Sequence, residues 1–600
     1  MPRPTREQVP PELTWDLGHI YPTAAAWEAD LTALEGDLER VTAYRGRLGE
    51  GAGTLRASLE ARDGFIERLS RVNAYARLHL STDGLSSANQ AMSARSESFG
   101  ARAGAALAFL TTELVALPDG TIERYLGEDP GLETYRLQLE DVVRSKPHVL
   151  EPQTEEVLAA LDEALHLPMT VWQRVTTADL RCEPTQDGEG REIPVSIAAY
   201  QFGLRYHPER EVRRRAYESL SAGLDRHKAT LATTLAAHIK KNVTTARLRG
   251  YSSAAEMILA PQRIPLEVYR NVCDTVHDGM APHVRRLLGL RSRRLGLDEL
   301  RMYDLEAPLD PGYDPPTSYA ESERLIREGL SPLGAEYETI VSSAFQNRWI
   351  DRADNLGKRS GAFCATVYGV HSYVFTTWSD SLRNALILAH ELGHAGHGML
   401  ASRNQVISNA RSGLFFVEAP STANELLVGQ HILDTAAGDG RLRRFVIMQF
   451  LGTFLHNMVT HMLEAHFERR LYELAEADQP LTVGTVLQVQ GEVFDRFYGD
   501  SVKVDDPSKL YWTQQPHFYI NLYPYTYAAG LACGTVVADD IRREGEPAAR
   551  RWLDTLRRGG SLPPLELAGK AGVDMASPEP IERAIAFFGR LVDELERSFV

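Results

Sequence analysis

The chain has 600 residues, 43% hydrophobic and 24% charged, a balance that excludes a disordered protein and allows several cores or one large multilobed body. Its formal charge of −16 argues against general nucleic-acid or anionic-membrane binding, because phosphate binding needs a basic surface that this chain as a whole does not supply. Neither a nucleic acid nor a membrane is expected as a partner.

The first residues, MPRPTREQVPPELTWDLGHIYP, hold no apolar signal core, and no window of about twenty residues reads as apolar and uncharged enough to span a bilayer. A cytoplasmic location is the expectation. Four cysteines, Cys182, Cys273, Cys364 and Cys533, form no CxxC pair and are expected to be reduced, mostly buried thiols.

From Thr23, a plausible N-cap, the spacing of Trp27, Leu31, Leu34, Leu38 and Val41 predicts an amphipathic helix. The same periodicity recurs in RDGFIERLSRVNAYARLHL, TEEVLAALDEAL, VRRRAYESLSAGLDRHKATLATTLAAHIKKNV and RFVIMQFLGTFLHNMVTHMLEAHFERRLYEL. These apolar stripes are read as core packing, which makes the protein mostly α. Residues 178–197, with a polar, Gly-containing centre, predict a hairpin. Residues 361–378, GAFCATVYGVHSYVFTTW, predict two short strands around Gly369, and 307–319 reads as a proline-rich linker or surface loop. The division expected is an N-terminal helical region with the hairpin, 1–200, and a catalytic region, 201–600.

The chemistry concentrates in LRNALILAHELGHAGHGML. His390, Glu391 and His394 form HExxH on a helix whose apolar face is Leu382, Ala385, Leu386, Ala389 and Leu392, with caps offered by Ser379 to Ser381. The i,i+4 spacing places both imidazoles on one face, where they can reach one metal ion. Zinc suits imidazole nitrogen, and three protein ligands leave its fourth tetrahedral position for water, toward which Glu391 is the natural general base. His397 stands too far along the axis, about 10 Å from His390 at 1.5 Å per residue, to share that ion, so it is read as outer-sphere or packing. The better third ligand is Glu418, at the start of a predicted helix with Pro420 in its first turn; Glu425 is a lesser candidate, more a supporting or structural residue.

LAHELGHAGHGM followed by FFVEAPSTANELL resembles the oligoendopeptidase F family, bacterial relatives of thimet oligopeptidase and neurolysin. The resemblance extends through LTWDLGHIYP, RRRAYESL, ARLRGYSSAAEMIL, LGKRSGAFC and HFYINLYPYTYAAG, and so runs over most of the chain. It implies a zinc endopeptidase for short, unfolded peptides, with one Zn2+ held by His390, His394 and Glu418 and with Glu391 catalytic. It also implies a multi-helix ellipsoid with a deep substrate channel and a small β element beside the zinc helix.

Hydrolysis of an amide also needs donors for the carbonyl oxygen as it gains charge. QPHFYINLYPYTYAAG concentrates His517, Tyr519, Tyr523, Tyr525 and Tyr527 in one segment, matching the family's His and Tyr region, and His517, Tyr523 and Tyr527 are favoured. SYVFTTW is read either as an exposed strand edge able to pair with a peptide backbone or as an internal strand. His371 and Lys358 are read as loop or cleft residues without a role. His456, His461 and His466, five apart, turn about 140° from one to the next on an α-helix and are read as not sharing a face or a metal. The rival functions are a metallocarboxypeptidase, which needs a basic group for a terminal carboxylate, and a non-catalytic zinc-containing peptide-binding protein.

Overall fold

Thr23 caps the first long helix as its sequence requires: its hydroxyl accepts from the Ala26 N–H at 3.1 Å, and the helix runs Ala24–Thr42. Trp27, Leu31, Leu34 and Val41 are buried on one face, and the Trp27 indole N–H donates to the Val72 carbonyl of the helix Ala52–Thr82 at 3.0 Å. The computed structural model describes residues 3–436 and 438–599. They are mostly helical, with five short strands among the described residues. The chain forms two compact units, each assembled from three stretches: 1–147, 314–439 and 533–574 in the first, 148–313, 440–532 and 575–600 in the second.

In the first unit, the 361–378 segment forms the antiparallel pair predicted for it. Strand β4 (Phe363–Thr366) faces β5 (Ser372–Phe375) in the register Cys364 to Val374 and Ala365 to Tyr373 (β1 and β2 are the hairpin strands below, and β3 is Ile350–Asp351). The connecting turn uses Gly369 at φ 73°. β3 lies parallel to β5 on its other side, so the order is β3, β5, β4. The strand in SYVFTTW is therefore internal: both its edges are paired and all four residues are buried. Tyr373 and Phe375 pack with Trp15, Trp27, Phe65 and Val72 into one core.

Two residues read as idle in the sequence anchor this sheet. Lys358, its side chain 2% exposed, bridges the fully buried Asp351 carboxylate at 2.7 Å and the carbonyls of Ala353 and Thr376. His371 stacks on Trp349 at 4.4 Å, and burial pushes its imidazole down to about 4. The proline-rich segment is not a free linker at its far end, since Pro315 and Thr317 pair with Leu382 and Asp380 and so fix the entry to the histidine helix.

One run, Ser87–Ala116, passes as long and apolar enough to cross a membrane, contrary to the reading of the sequence. It breaks at Ala108 into two helices, and Phe99, Ala103, Phe109, Leu110 and Leu114 pack into the cores of the first unit. The stripe in TEEVLAALDEAL also departs from expectation. No residue of the helix Pro152–Arg174 is buried, and Val157, Leu161 and Leu167 are about half exposed.

In the second unit, the predicted hairpin shrinks to β1 (Thr185–Gln186) and β2 (Glu192–Ile193), closed by Asp187, whose carboxylate accepts from the N–H groups of Glu189 and Arg191. The segment 440–476 is helical as predicted but not uniformly so. A π-turn, Leu455–Thr460, separates the helices Gly440–Phe454 and His461–Glu476.

Candidate active site

The helix Leu382–Asn404 starts at Ser381, whose hydroxyl accepts from the Asn384 N–H, and buries Leu382, Ala385, Leu386, Ala389 and Leu392. That burial fixes its rotation and brings His390 and His394 together one turn apart, with ring centres 5.2 Å from each other. Glu418 precedes the helix Ala419–Thr435, and its Oε2 lies 3.5 Å from Nε2 of His390 and 3.5 Å from Nε2 of His394. Ser421 steadies the same oxygen with a hydrogen bond of 3.1 Å.

Glycines make this approach possible. A side chain at Gly393 would strike the Pro420 carbonyl and come within 2.5 Å of Ser421 Cα, and one at Gly398 would strike Thr366 of β4. The motif's small residues therefore let the glutamate-bearing helix and the sheet close directly on the histidine helix.

The donor set fits a metal. Two imidazole nitrogens and a carboxylate oxygen all lie within 4.8 Å of one another, and bonds of about 2.0–2.1 Å in a tetrahedral site separate ligands by about 3.4 Å, close to the 3.5 Å found. Glu425 contacts His390 on the other side of the ring, Nδ1 to Oε2 at 3.3 Å. It thus orients the imidazole from outside the candidate ligand set, as a supporting carboxylate does. His397 stays apart: it packs against Phe416, and its buried Nε2 has no hydrogen-bond partner among the described residues. Glu391 is 7% exposed, and burial lifts its carboxyl above the ordinary range against the pull of His390 and His394.

The second unit gathers the other predicted residues. His517, Tyr523 and Tyr527 form one ring cluster, with centres 5.6 Å (His517 to Tyr523), 5.1 Å (Tyr523 to Tyr527) and 5.9 Å (His517 to Tyr527) apart. Tyr519 belongs instead to packing against Trp172 and His238, and the ring of Tyr525 is fully buried on Tyr269. Leu522 and Asn521, just before Tyr523, both have positive φ, a costly backbone for such residues. The Leu522 N–H donates to buried Glu468 at 2.9 Å, and Asn521 Oδ1 accepts from Asn242 at 2.7 Å.

The helical-wheel argument about the remaining histidines fails at the π-turn. With i→i+5 bonding, residues five apart come back toward the same face, and the His456 and His461 rings meet at 4.4 Å. His461 also joins Glu464 and His517 in a second group of potential metal ligands. Here the distances decide otherwise. Glu464 Oε2 is 2.9 Å from His461 Nδ1 and 3.0 Å from His517 Nδ1, and Tyr511 donates to Oε1 at 3.2 Å. Those are hydrogen-bond lengths, shorter than ligand separations around a metal. A carboxylate can only accept, so both Nδ1 atoms carry protons. Burial works to raise the Glu464 carboxyl, but the charges and hydrogen bonds of His461 and His517 overrule it and hold it down to about 2. Sequence reading missed Glu464; its only local signal is the i,i+3 spacing from His461.

The model of peptidase family M3 matches residues 203–587, and that of oligopeptidase F matches residues 113–181. Oligopeptidase PepF of Bacillus subtilis is 32% identical over 99% of this chain and 88% of its own length, and the plasmid-borne oligoendopeptidase F of Lactococcus lactis subsp. cremoris is 29% identical over 99% and 98%. Among solved structures, oligoendopeptidase F from Enterococcus faecium superposes with a TM-score of 0.74 at 27% identity, covering 95% of this chain and 98% of that one. A Chlamydophila abortus protein reaches 0.89 at 27% identity, covering 99% and 100%. With a family match over well over half of its length, carried through the HExxH helix and the His517 segment, the chain belongs to peptidase family M3.

Proposed function

We propose that this protein is a zinc endopeptidase that cuts internal bonds of short, unfolded peptides, with one zinc ion per chain and with residues 201–600 as its catalytic region. The observation that carries the reading is the convergence of His390, His394 and Glu418 at ligand spacing, with Glu391 on the same helix. Bound by those three residues, zinc would supply a Lewis acid to the scissile carbonyl and lower the pKa of water. Glu391 accepts the proton of the attacking water and passes it to the departing amine, a task suited to a carboxyl lifted by burial. To His517, Tyr523 and Tyr527 the reading assigns hydrogen bonds to the substrate carbonyl oxygen as charge grows there. His517 has its Nδ1–H committed to Glu464, which fixes the ring, and Nε2 donates to the substrate oxygen in the form that carries a proton on both ring nitrogens. Backbone pairing of a peptide falls to β4, the outer strand next to the histidine helix, rather than to β5.

The test is cleavage mapping by mass spectrometry on peptides of roughly five to twenty residues, free and amidated at the C-terminus, with wild type and Glu391→Gln of measured zinc content. Internal cuts in both peptide forms, lost in a variant that keeps its zinc, support the endopeptidase. Cuts confined to free C-termini replace it with a carboxypeptidase, and no cuts by zinc-loaded wild type leave a peptide-binding protein.

A further inference from the structure

The second unit holds a partly open cavity of about 120 Å3, walled by Leu287 and Leu288 of the helix Leu266–Leu295 and by Tyr200, Tyr498 and Tyr511. Three charged side chains line it: Arg205, Arg291 and Glu306. Glu306 is in charge contact with Arg205 at 2.7 Å, although the angle there is not that of a hydrogen bond. A neighbouring guanidinium, Arg213, is matched by Asp304 at 3.0 Å. That leaves Arg291 with no hydrogen bond and no ion pair among the described residues, only the longer-range pull of the Glu306 and Asp304 carboxylates, and its Nε is sealed from solvent.

Arg291 is partly buried, and a guanidinium drawn partly out of water beside another one is stabilised when something negative joins it. Burial indeed pushes Arg291 down to about 10, against an ordinary value above 12. The hydroxyls of Tyr200 and Tyr498 also line the cavity without a hydrogen-bond partner among the described residues. The lining thus has two guanidiniums to one carboxylate, with Asp505 and Glu464 behind it, held by the hydroxyls of the lining Tyr217 and Tyr511, and it offers two O–H donors and apolar walls.

We propose that this cavity binds one small monovalent anion, a carboxylate group or an ion of similar size, seated against Arg291 and the hydroxyls of Tyr200 and Tyr498. One guanidinium without a close ion pair matches one negative charge, not a phosphate dianion. Tyr511 connects this cavity to the cluster above, since it lines the cavity and donates to Glu464, which holds His517. The carboxylate can come from a peptide, as its C-terminus or an acidic side chain, or from a free anion in solution. Only the peptide source rests on the peptidase reading.

The experiment has two arms on the full-length protein. In the first, Tm is followed against sodium formate, acetate or chloride, with ionic strength held constant by sodium sulfate, a dianion the site does not fit, in wild type, Arg291→Met and Tyr498→Phe. The site predicts a saturable rise of about 1–3 °C with at least one of the three anions in wild type, weaker in Tyr498→Phe and absent in Arg291→Met. Arg291→Met itself should be about as stable as wild type, having lost a partly buried guanidinium without a close ion pair. No saturable rise in wild type, or an equal rise in all three proteins, overturns the proposal and leaves a cavity that holds only water.

The second arm measures KM for matched peptides, free against amidated and Glu against Gln. If a peptide carboxylate is the ligand, Arg291→Met raises KM about tenfold for the charged member alone, and formate raises it in wild type. Equal KM values with the Tm response intact identify a free anion. An enzyme without peptidase activity would sink the peptidase reading while leaving the first arm to decide the site.

Discussion

Gly393 and Pro420 touch backbone to backbone: the Pro420 carbonyl occupies the space that a side chain on Gly393 would need. This contact is what lets Glu418, two residues before Pro420, reach the histidine pair. Gly393→Ala should therefore destabilise the protein by about 1–3 kcal/mol and lower bound zinc, measured together as Tm and as metal content by mass spectrometry. Gly64→Ala, in a helix where nothing lies within 4 Å of the added methyl, serves as the control and should be neutral or stabilising. Unchanged metal content in a folded Gly393→Ala protein would refute this role.

Glu425 touches His390 at Nδ1, opposite the nitrogen that faces Glu418. Glu425→Gln should weaken zinc affinity about 10- to 100-fold with little change in the fold, read by competition with a chelator. Affinity equal to wild type would mean that Glu425 only packs.

Glu464 should matter to activity and to acid stability. Glu464→Gln is expected to cut kcat/KM about 100-fold while zinc content stays at the wild-type level. The sign of the stability effect follows from the carboxyl's descent from 4.5 to about 2, which His461 and His517 impose against burial. A carboxyl that holds its proton less tightly when folded contributes stability above about pH 4.5, and that contribution is lost as pH falls toward 2. The Tm gap between wild type and Glu464→Gln should therefore narrow from pH 6 to pH 3. A gap independent of pH would show that the carboxylate's charge contributes nothing.

Glu468 shifts the opposite way. Burial lifts it to about 8 in spite of the Leu522 N–H that it accepts. A carboxyl raised in the folded state contributes stability that is complete below about pH 4.5 and is lost as pH rises through 8. Glu468→Gln keeps an acceptor for Leu522 and cannot ionise, so wild type should lose a few kcal/mol relative to it between pH 5 and pH 9. Parallel pH profiles of Tm would contradict this.

What the sequence determined by itself is local. HExxH is a statement about one helix, and i,i+4 geometry is the same whatever surrounds it, so His390, Glu391 and His394 were readable, as was the Thr23 cap. The pair around Gly369 was readable for the same reason, because a turn and its flanking strands are neighbours in the chain. The family resemblance strengthened Glu418 and His517, which the residues alone offer only as candidates because their partners are remote in sequence.

Tertiary structure decided the rest. Whether SYVFTTW is an edge or a centre depends on β3, which enters from outside that segment. The stripe of the helix Pro152–Arg174 has the spacing of a packed face, yet the pattern cannot say whether a neighbour arrives to cover it. His456 and His461 share a face against expectation because a wheel assumes uniform i→i+4 bonding and the π-turn at Leu455–Thr460 breaks that period, while His466, on the regular helix beyond it, stays apart against His277. Glu464 and Arg291 go unnoticed in the sequence, and Lys358 reads as idle, for one common reason. A charged residue reads as solvated until its surroundings are known, and burial, which turns each of them into a positioned charge, is a property of the whole fold.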